Sequence, residues 1–160
     1  MIRLAAAEDL NAVLNIYGAA RKFMCESGNP TQWGDGYPAK ELLEEDIRRG
    51  DLYLCLRDGV PCGAFMLMAA PEPTYAEIDG CWMSEEPYGT IHRVASDGSK
   101  RGIFKEILNF CKERFSHLRI DTHADNHIMQ HLVKKGGFEY CGIIHLENGS
   151  PRLAYEYIAE

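Results

Sequence analysis

The chain has 160 residues, a formal net charge of −7, 46% hydrophobic residues and 26% charged residues. This length predicts one domain, residues 1–160, and the composition is typical of a soluble globular protein. An acidic surface argues against a nucleic-acid partner, because phosphate backbones require a basic surface. No apolar run has the length of a membrane span, and charges interrupt the N-terminal segment where a signal peptide is apolar. We therefore expect a cytoplasmic protein without a membrane partner.

The first half of the chain alternates apolar segments with loops rich in glycine and proline. Residues 2–5 predict a short strand, and residues 8–26 carry apolar side chains at helical spacing. A long loop with three glycines and two prolines follows, and residues 39–49 predict a short helix behind Pro38. Residues 51–70 then predict a hairpin that turns at Asp58-Gly59.

The second half continues with strands and two further helices. We predict strands over 76–83, 90–96 and 117–123, helices over 102–115 and 126–136, and a last hairpin over 139–158. Strands and helices in this order predict an α/β (α+β) fold, with helices packed on the faces of a mixed sheet.

Six cysteines lie far apart in the sequence and form no Cys-x-x-Cys pair. They are Cys25, Cys55, Cys62, Cys81, Cys111 and Cys141. In a chain of this size without a signal peptide, we expect reduced thiols in the core.

The loop "SDGSKRG", which precedes the third predicted helix, has the ingredients of an anion site. Gly98 and Gly102 allow the backbone to approach a ligand closely, and Lys100 and Arg101 add positive charge beside the helix N-terminus. The Walker pattern and the dinucleotide-binding glycine pattern are both absent. On these residues alone, the loop is either a phosphate site or a solvated helix start.

Two stretches together resemble the core of the GNAT superfamily of N-acetyltransferases. They are "TIHRVASDGSKRGIFKEIL" and "RIDTHADNHIMQHLVKKGGFEYCG". In this resemblance, the pyrophosphate loop of the family corresponds to residues 99–104, its second-helix Asn to Asn126, and its Gly-Phe to Gly137-Phe138. The resemblance covers nearly the whole chain. It implies a mostly antiparallel central sheet with helices on both faces, and acetyl-coenzyme A as cosubstrate.

The resemblance also implies which residues hold the cosubstrate. The pantetheine arm would pair with the strand edge at residues 93–96, and the Val94 N–H would polarise the thioester carbonyl. The implied contact residues are Val94, Ala95, Ser96, Gly98, Ser99, Lys100, Arg101, Gly102, Ile103, Phe104 and Asn126.

Three positions depart from the family pattern. Ser99 stands where the family has Gln or Arg, and Phe104 replaces the last small residue of its loop. Val133 occupies the position where many members carry a Tyr that protonates the leaving thiolate. That role is therefore vacant, or it is filled from elsewhere in the chain.

An acceptor amine must lose a proton before it attacks a thioester, since an alkyl ammonium has a pKa of about 10.4. His92 is the first candidate base, because it lies two residues before Val94 and so should share its strand face. A structural, hydrogen-bonded histidine is the alternative. Glu77 and Asp79 alternate on one predicted strand face and would act as a base through water, bind a cationic acceptor, or face solvent.

Four aromatic residues are candidates for acceptor binding. Trp33 and Tyr37 lie in the glycine-rich loop between the first two helices, which borders the acceptor side in the GNAT fold. Trp82 and Tyr88 would form the opposite wall of the acceptor site. Alternatively, all four rings cap the core from outside.

The His and Asp residues of the segment "DTHADNH" also suggest a metal site, but the segment lacks the glutamate of the His-Glu-x-x-His motif. A strand end and a helix start already explain it, with Asp125 as the helix N-cap or next to the cap. We therefore expect no metal.

These observations predict an N-acetyltransferase that moves acetyl from acetyl-coenzyme A to a primary amine by direct attack. The acceptor is a small molecule or a peptide. A homodimer is one assembly that the chain could form. The alternative is a non-catalytic module of the same fold that binds or senses acyl-coenzyme A.

Overall fold

The structure is a computed structural model that describes residues 1–160. It contains four α-helices, which are α1 (Leu10–Glu26), α2 (Lys40–Arg49), α3 (Ile103–Arg114) and α4 (His127–Lys135). The eight strands are β1 (Ile2–Leu4), β2 (Leu52–Arg57), β3 (Val60–Met68), β4 (Asp79–Gly80), β5 (Gly89–Ser96), β6 (His117–Thr122), β7 (Glu139–His145) and β8 (Pro151–Ile158). None of the helices combines the length and the hydropathy of a membrane-crossing segment.

The strands form one mixed sheet in the order β1-β2-β3-β5-β6-β8-β7-β4. All neighbours are antiparallel except β5 and β6, which run parallel. The parallel ladder is short, because its register ends where Ile91 pairs with Ile120. Beyond this pair β5 continues to Ser96 and β6 to Thr122, so the two strands separate and leave one edge of β5 open.

A β-bulge reverses the alternation of side chains within β5. Ala64 pairs with Ala95 and Met66 pairs with His92, so Arg93 and Val94 together face the single residue between them on β3. Arg93 has a positive φ of 50°, which is uncommon for a residue with a Cβ.

The bulge has a direct effect on which face each β5 side chain occupies. Ile91 packs with α3, whereas Ala95, four residues later, packs with α1. Val94 packs on the α3 side. The prediction that His92 and Val94 share a strand face is therefore wrong, because the inserted residue shifts the period-2 pattern by one.

Two main hydrophobic clusters lie on opposite faces of the sheet. The α1 and α2 face contains Val13, Ile16 and Tyr17 from α1 and Leu43 from α2, packed on leucines of β2. The other face packs α3 and α4 against the central strands and includes Ile107, Leu108, Leu118, Ile120 and Val133. Helices on both faces of a mostly antiparallel sheet confirm the predicted fold class.

The predicted strand over 76–83 is wrong, because only Asp79–Gly80 forms a ladder, at the end of the sheet beside β7. Gly80 and Gly142 meet there so closely that a Cβ on Gly142 would lie 2.3 Å from the Asp79 carbonyl oxygen. The rest of the segment is held by side chains instead of a ladder. The Trp82 indole donates to the Tyr75 carbonyl at 2.9 Å, and the Met83 N–H donates to Glu156 at 2.6 Å.

A buried ionic cluster lies beneath this segment. Glu156 is fully buried and accepts hydrogen bonds from Arg119 at 2.8 Å and from His117 at 2.6 Å. The Arg119 guanidinium also lies over the rings of Trp82 and Tyr88, at 4.0 and 4.1 Å from their centroids. The loop is therefore ordered by charge and aromatic contacts between residues distant in sequence.

All six cysteines are free thiols in the structure. Cys55, Cys62, Cys111 and Cys141 are buried, as expected for core thiols, whereas Cys25 and Cys81 are exposed.

Candidate active site

Two cavities meet where β5 and β6 separate. The first is a groove of about 170 Å³ between the end of α1 and the first turns of α3 and α4. The second is a larger cleft of about 900 Å³ on the α1 and α2 face, bordered by the loop before α2 and by residues 70–74. The residues that line both are Met24, Val94, Asn126 and Met129. A ligand in the groove would therefore reach the cleft beside Val94.

The groove brings together six of the predicted cosubstrate residues. They are Val94, Ala95, Ser96, Ile103, Phe104 and Asn126. Most of the lining is apolar, which suits a flexible chain with few charges.

The predicted phosphate loop forms a turn directly before α3. Gly102 is the N-cap of α3 and has a φ of 77°, a conformation that glycine adopts at little cost. No protein acceptor takes the backbone N–H groups of residues 100–105, and the first paired N–H of the helix is that of Glu106. Ser99 is engaged elsewhere, because its hydroxyl and its N–H both donate to Asp97. The loop thus offers free main-chain N–H groups to an anion, whereas the Ser99 side chain is already hydrogen-bonded within the protein.

A third cavity of about 600 Å³ extends from this loop between α3 and α4. Four lysines line it, namely Lys100, Lys105, Lys112 and Lys135. Lys112 donates to the Gly136 carbonyl and lies 4.3 Å from the Tyr157 ring centroid. The other three ammonium groups form no ion pair with a protein carboxylate. This cavity is a concentrated positive region on a chain of net charge −7.

Asn126 is the N-cap of α4 and Asp125 directly precedes it, so of the two positions predicted for Asp125 the one next to the cap is confirmed. The Asn126 side-chain oxygen accepts from the Met129 N–H at 3.0 Å, and its amide nitrogen donates to Gln32 at 3.1 Å. Asn29 donates to the same Gln32 oxygen at 2.8 Å. This leaves the Asn29 side-chain oxygen, which is buried beside the groove, without any partner.

His92 lines the cleft and lies between two carboxylates. Its Nε2 is 2.8 Å from Glu72, and its Nδ1 is 3.8 Å from Asp121. The Tyr75 hydroxyl donates to the same Asp121 oxygen at 2.7 Å. Burial by itself raises the pKa of Glu72, but hydrogen bonds from His92 and Thr74 outweigh it and leave that pKa below its usual range. Glu72 is therefore an ionised partner that orients the imidazole.

Glu77 and Asp79 lie away from this group. Both are exposed, neither lines the groove or the cleft, and Asp79 pairs with β7 at the far end of the sheet. The carboxylates that do reach the cleft near His92 are Glu72 and Asp121. Sequence reasoning missed Glu72 because it follows Pro71 in an irregular loop, where no periodicity links it to β5.

The four candidate aromatic residues separate into two pairs. Trp33 and Tyr37 line the cleft, and the Tyr37 hydroxyl accepts a hydrogen bond from Arg93 at 3.1 Å. Trp82 and Tyr88 do not line it. They pack around Tyr75, with ring centroids at 5.3 and 6.3 Å, and the Tyr88 hydroxyl accepts from the Glu72 N–H. The prediction that Trp82 and Tyr88 form a wall of the acceptor site is therefore wrong, because these rings contact Tyr75 and Glu72 and do not face the cleft.

Val133 is fully buried in the cluster beneath α4 and lines neither cavity. The residues shared by the groove and the cleft carry no titratable side chain. At this junction, therefore, no ionisable side chain from α4 takes the place of the Tyr expected at the Val133 position as the acid for the leaving thiolate.

No family model matches the chain, and no curated protein matches it either. Solved structures do match. A GNAT-family acetyltransferase from Streptococcus agalactiae is 31% identical, with a TM-score of 0.91, over 100% of this chain and 95% of that chain. At lower identity, the fold alone is shared with two others. One is a ribosomal-protein-alanine N-acetyltransferase from Brucella melitensis (22%, TM-score 0.62, 99% of each chain).

The other is an aminoglycoside acetyltransferase solved with coenzyme A and kanamycin (18%, TM-score 0.65, 99% of this chain and 94% of that chain). The likeness to the Streptococcus agalactiae protein covers the whole of this chain. On this full-length similarity, the chain belongs to the GNAT family of acetyltransferases.

Proposed function

We propose that the protein transfers acetyl from acetyl-coenzyme A to a primary amine of a small molecule or a peptide, by direct attack on the thioester. The observation that carries this proposal is the meeting of groove and cleft at Val94, where β5 has an open edge. A pantetheine arm paired with that edge would place its sulfur at the junction, facing a cleft that contains a histidine. Fold neighbours solved with coenzyme A and acetyl-coenzyme A support this cosubstrate.

The phosphates of the cosubstrate would occupy the loop before α3. Free N–H groups from residue 100 onwards and the positive end of α3 favour an anion there. The lysine-lined cavity next to the loop would take the remaining phosphate charge. The unpartnered Asn29 oxygen would accept a hydrogen bond from an amide N–H of the pantetheine arm, since a buried acceptor without a partner is costly.

The acceptor amine would bind in the cleft beside His92. Glu72 holds the imidazole, and the imidazole takes a proton from the ammonium so that the neutral amine nitrogen attacks the thioester carbon. The Val94 N–H would stabilise the resulting oxyanion. The nitrogen of the intermediate then gives up its second proton to solvent water, and collapse breaks the carbon–sulfur bond to leave the neutral amide and the thiolate of coenzyme A. A thiolate is a far weaker base than an amine, so it leaves without a side-chain acid at the Val133 position.

An acyl-enzyme is not needed. No cysteine lines the groove or the cleft. Burial raises the pKa of the Cys55 and Cys111 thiols to about 12, which makes them poor nucleophiles near neutral pH. The six unpaired thiols also suit a reducing compartment, so a cytoplasmic location is part of the proposal.

A non-catalytic module that binds acyl-coenzyme A is the second candidate, and the buried Val133 is the observation that favours it. Mass spectrometry of an amine library incubated with acetyl-coenzyme A separates the two. Acetylated products that depend on the protein support the transferase. Tight binding of coenzyme A without any product from any amine would leave only the binding module.

A further inference from the structure

Arg152 is a buried cation without a carboxylate partner. Three arginines of the chain, Arg93, Arg119 and Arg152, are largely buried, and the first two each bind a carboxylate. Arg93 binds Asp46 through two hydrogen bonds of 2.8 and 2.9 Å, and Arg119 binds Glu156 at 2.8 Å. Arg152 is only 7% exposed, and no Asp or Glu oxygen lies within 4.0 Å of its guanidinium.

The Arg152 side chain lines the cleft. Its guanidinium donates two hydrogen bonds to main-chain carbonyls, of Pro151 at 2.8 Å and of Gln32 at 3.3 Å. A guanidinium has five N–H donors, so the remaining donors have no protein acceptor. Both bonds are to neutral groups, and the Asp121 carboxylate attracts the guanidinium only from beyond ion-pair distance.

Such a charge is unfavourable in the free protein. Desolvation lowers the pKa of Arg152, although an arginine remains protonated at any physiological pH. A buried cation is normally paired, or it binds an anion supplied from outside. The cleft gives that anion direct access to Arg152.

Arg152 also lies at a useful distance from the proposed amine site. On β6 and β8, Asp121 is directly opposite Ala154, and Arg152 is two residues before Ala154 on the same face of β8. Two residues of a strand span about 7 Å. The cleft thus has carboxylates, Glu72 and Asp121, beside His92. A short distance away lies Arg152, the one cleft-lining arginine without an ion-pair partner.

We propose that Arg152 binds a carboxylate of the acceptor, so that the acceptor is an amino carboxylate. This inference rests on the proposed function and specifies its substrate class. The ammonium of the acceptor binds next to Glu72, Asp121 and His92, and its carboxylate binds the guanidinium. A single negative charge matches the single free cation, whereas a dianionic phosphate would face these carboxylates with only one positive charge beside it.

The test compares matched acceptors in steady-state kinetics with the wild-type protein. The pairs are L-lysine and cadaverine, L-phenylalanine and phenethylamine, and a lysine-containing dipeptide and its C-terminal amide. The first two pairs test a free amino acid, and the third tests a peptide carboxylate. A charge-assisted pair of this kind predicts a kcat/KM about 10- to 100-fold higher for the carboxylate member of at least one pair.

Arg152→Gln should reduce this ratio to near one, and Arg152→Lys should restore part of it. Arg48→Gln is the matched control, because Arg48 is an arginine that does not line the cleft, and it should leave the ratio unchanged. The wild-type comparison needs no variant, so it stands even if Arg152→Gln fails to fold.

Equal or faster acetylation of the decarboxylated and amidated members would overturn the inference while the proposed function stands. An unchanged ratio in a folded Arg152→Gln protein would do the same. Acetylation of neither member of any pair, nor of any amine in a wider library, would instead overturn the proposed function, and this inference with it.

Discussion

At the scale of single residues, the candidate site depends on side chains from irregular segments. His92 was accessible to sequence reasoning, because it lies on a predicted strand next to the predicted oxyanion donor. Glu72 was not, since its contact with His92 joins residues 20 positions apart through a loop. The carboxylates that sequence reasoning preferred, Glu77 and Asp79, follow a strand alternation that the chain does not adopt there.

We predict that His92→Ala lowers kcat/KM by about 10²- to 10⁴-fold, because it removes the proposed base. The acidic limb of the pH–rate profile should change in the variant, because the rate should then rise with pH as the free ammonium loses its proton, as measured with acetyl-coenzyme A and any accepted amine. His145→Ala is the control, because His145 is exposed on β7 and lines neither cavity. Retention of the wild-type rate and acidic limb in His92→Ala would remove His92 as the base.

Glu72 supports a prediction about pH and stability. Its pKa is lower in the folded protein, so the carboxylate stabilises the fold above its unfolded pKa, and this contribution is lost as the pH falls through the folded value. Glu72→Gln should therefore lower the free energy of unfolding by about 1–3 kcal/mol at pH 7. The difference should shrink as the pH falls through the lowered folded-state pKa of Glu72, below which both proteins carry a neutral side chain. Urea unfolding at pH 7 and at a series of acidic pH values measures it, and a difference independent of pH would contradict the assignment.

At the scale of elements, the bulge in β5 is the feature that shapes the junction. The Tyr17 hydroxyl donates to the Arg93 carbonyl at 2.6 Å, and the Arg93 side chain is held by Asp46 of α2. The bulged backbone is therefore fixed from α1 and α2 together. Helix and strand periodicity predicts these elements separately, but the contact between them joins residues 47 positions apart.

We predict that Asp46→Ala lowers the free energy of unfolding by about 3–5 kcal/mol, because it leaves the Arg93 guanidinium buried and unpaired. Equilibrium unfolding in urea measures the effect. Glu45→Ala is the matched control on the same helix. Glu45 pairs with Arg48 and Arg49 at the surface, so its removal should change stability little. Equal losses in the two variants would show that Arg93 does not depend on Asp46.

At the scale of the whole molecule, the distribution of charge matters more than its sum. A net charge of −7 argues against a nucleic-acid partner, yet four lysines line the cavity between α3 and α4. The predicted homodimer and the peptide acceptor remain predictions, since neither follows from this charge distribution.

We predict that Lys100→Ala raises the KM for acetyl-coenzyme A by about two- to fivefold, because it removes one exposed cation beside the phosphates. The effect should weaken at high salt, where such interactions are screened. Lys22→Ala is the control, since Lys22 is exposed on α1 and lines none of these cavities. Steady-state kinetics at low and high ionic strength measure both variants. Equal effects of the two substitutions would exclude a local role for Lys100.

The sequence by itself determined the helices, the main strands, the mixed sheet and the loop before α3, because these depend on periodicity and on glycine, which act over short distances. It did not predict the short β4, the reversed faces of β5, or the group formed by Glu72, His92 and Asp121. Only the tertiary structure decided these features, since a two-residue ladder held by Gly80 and Gly142, a bulge and a cleft all depend on contacts between distant residues. The same holds for Arg152, whose missing partner becomes visible only when its neighbours in space are known.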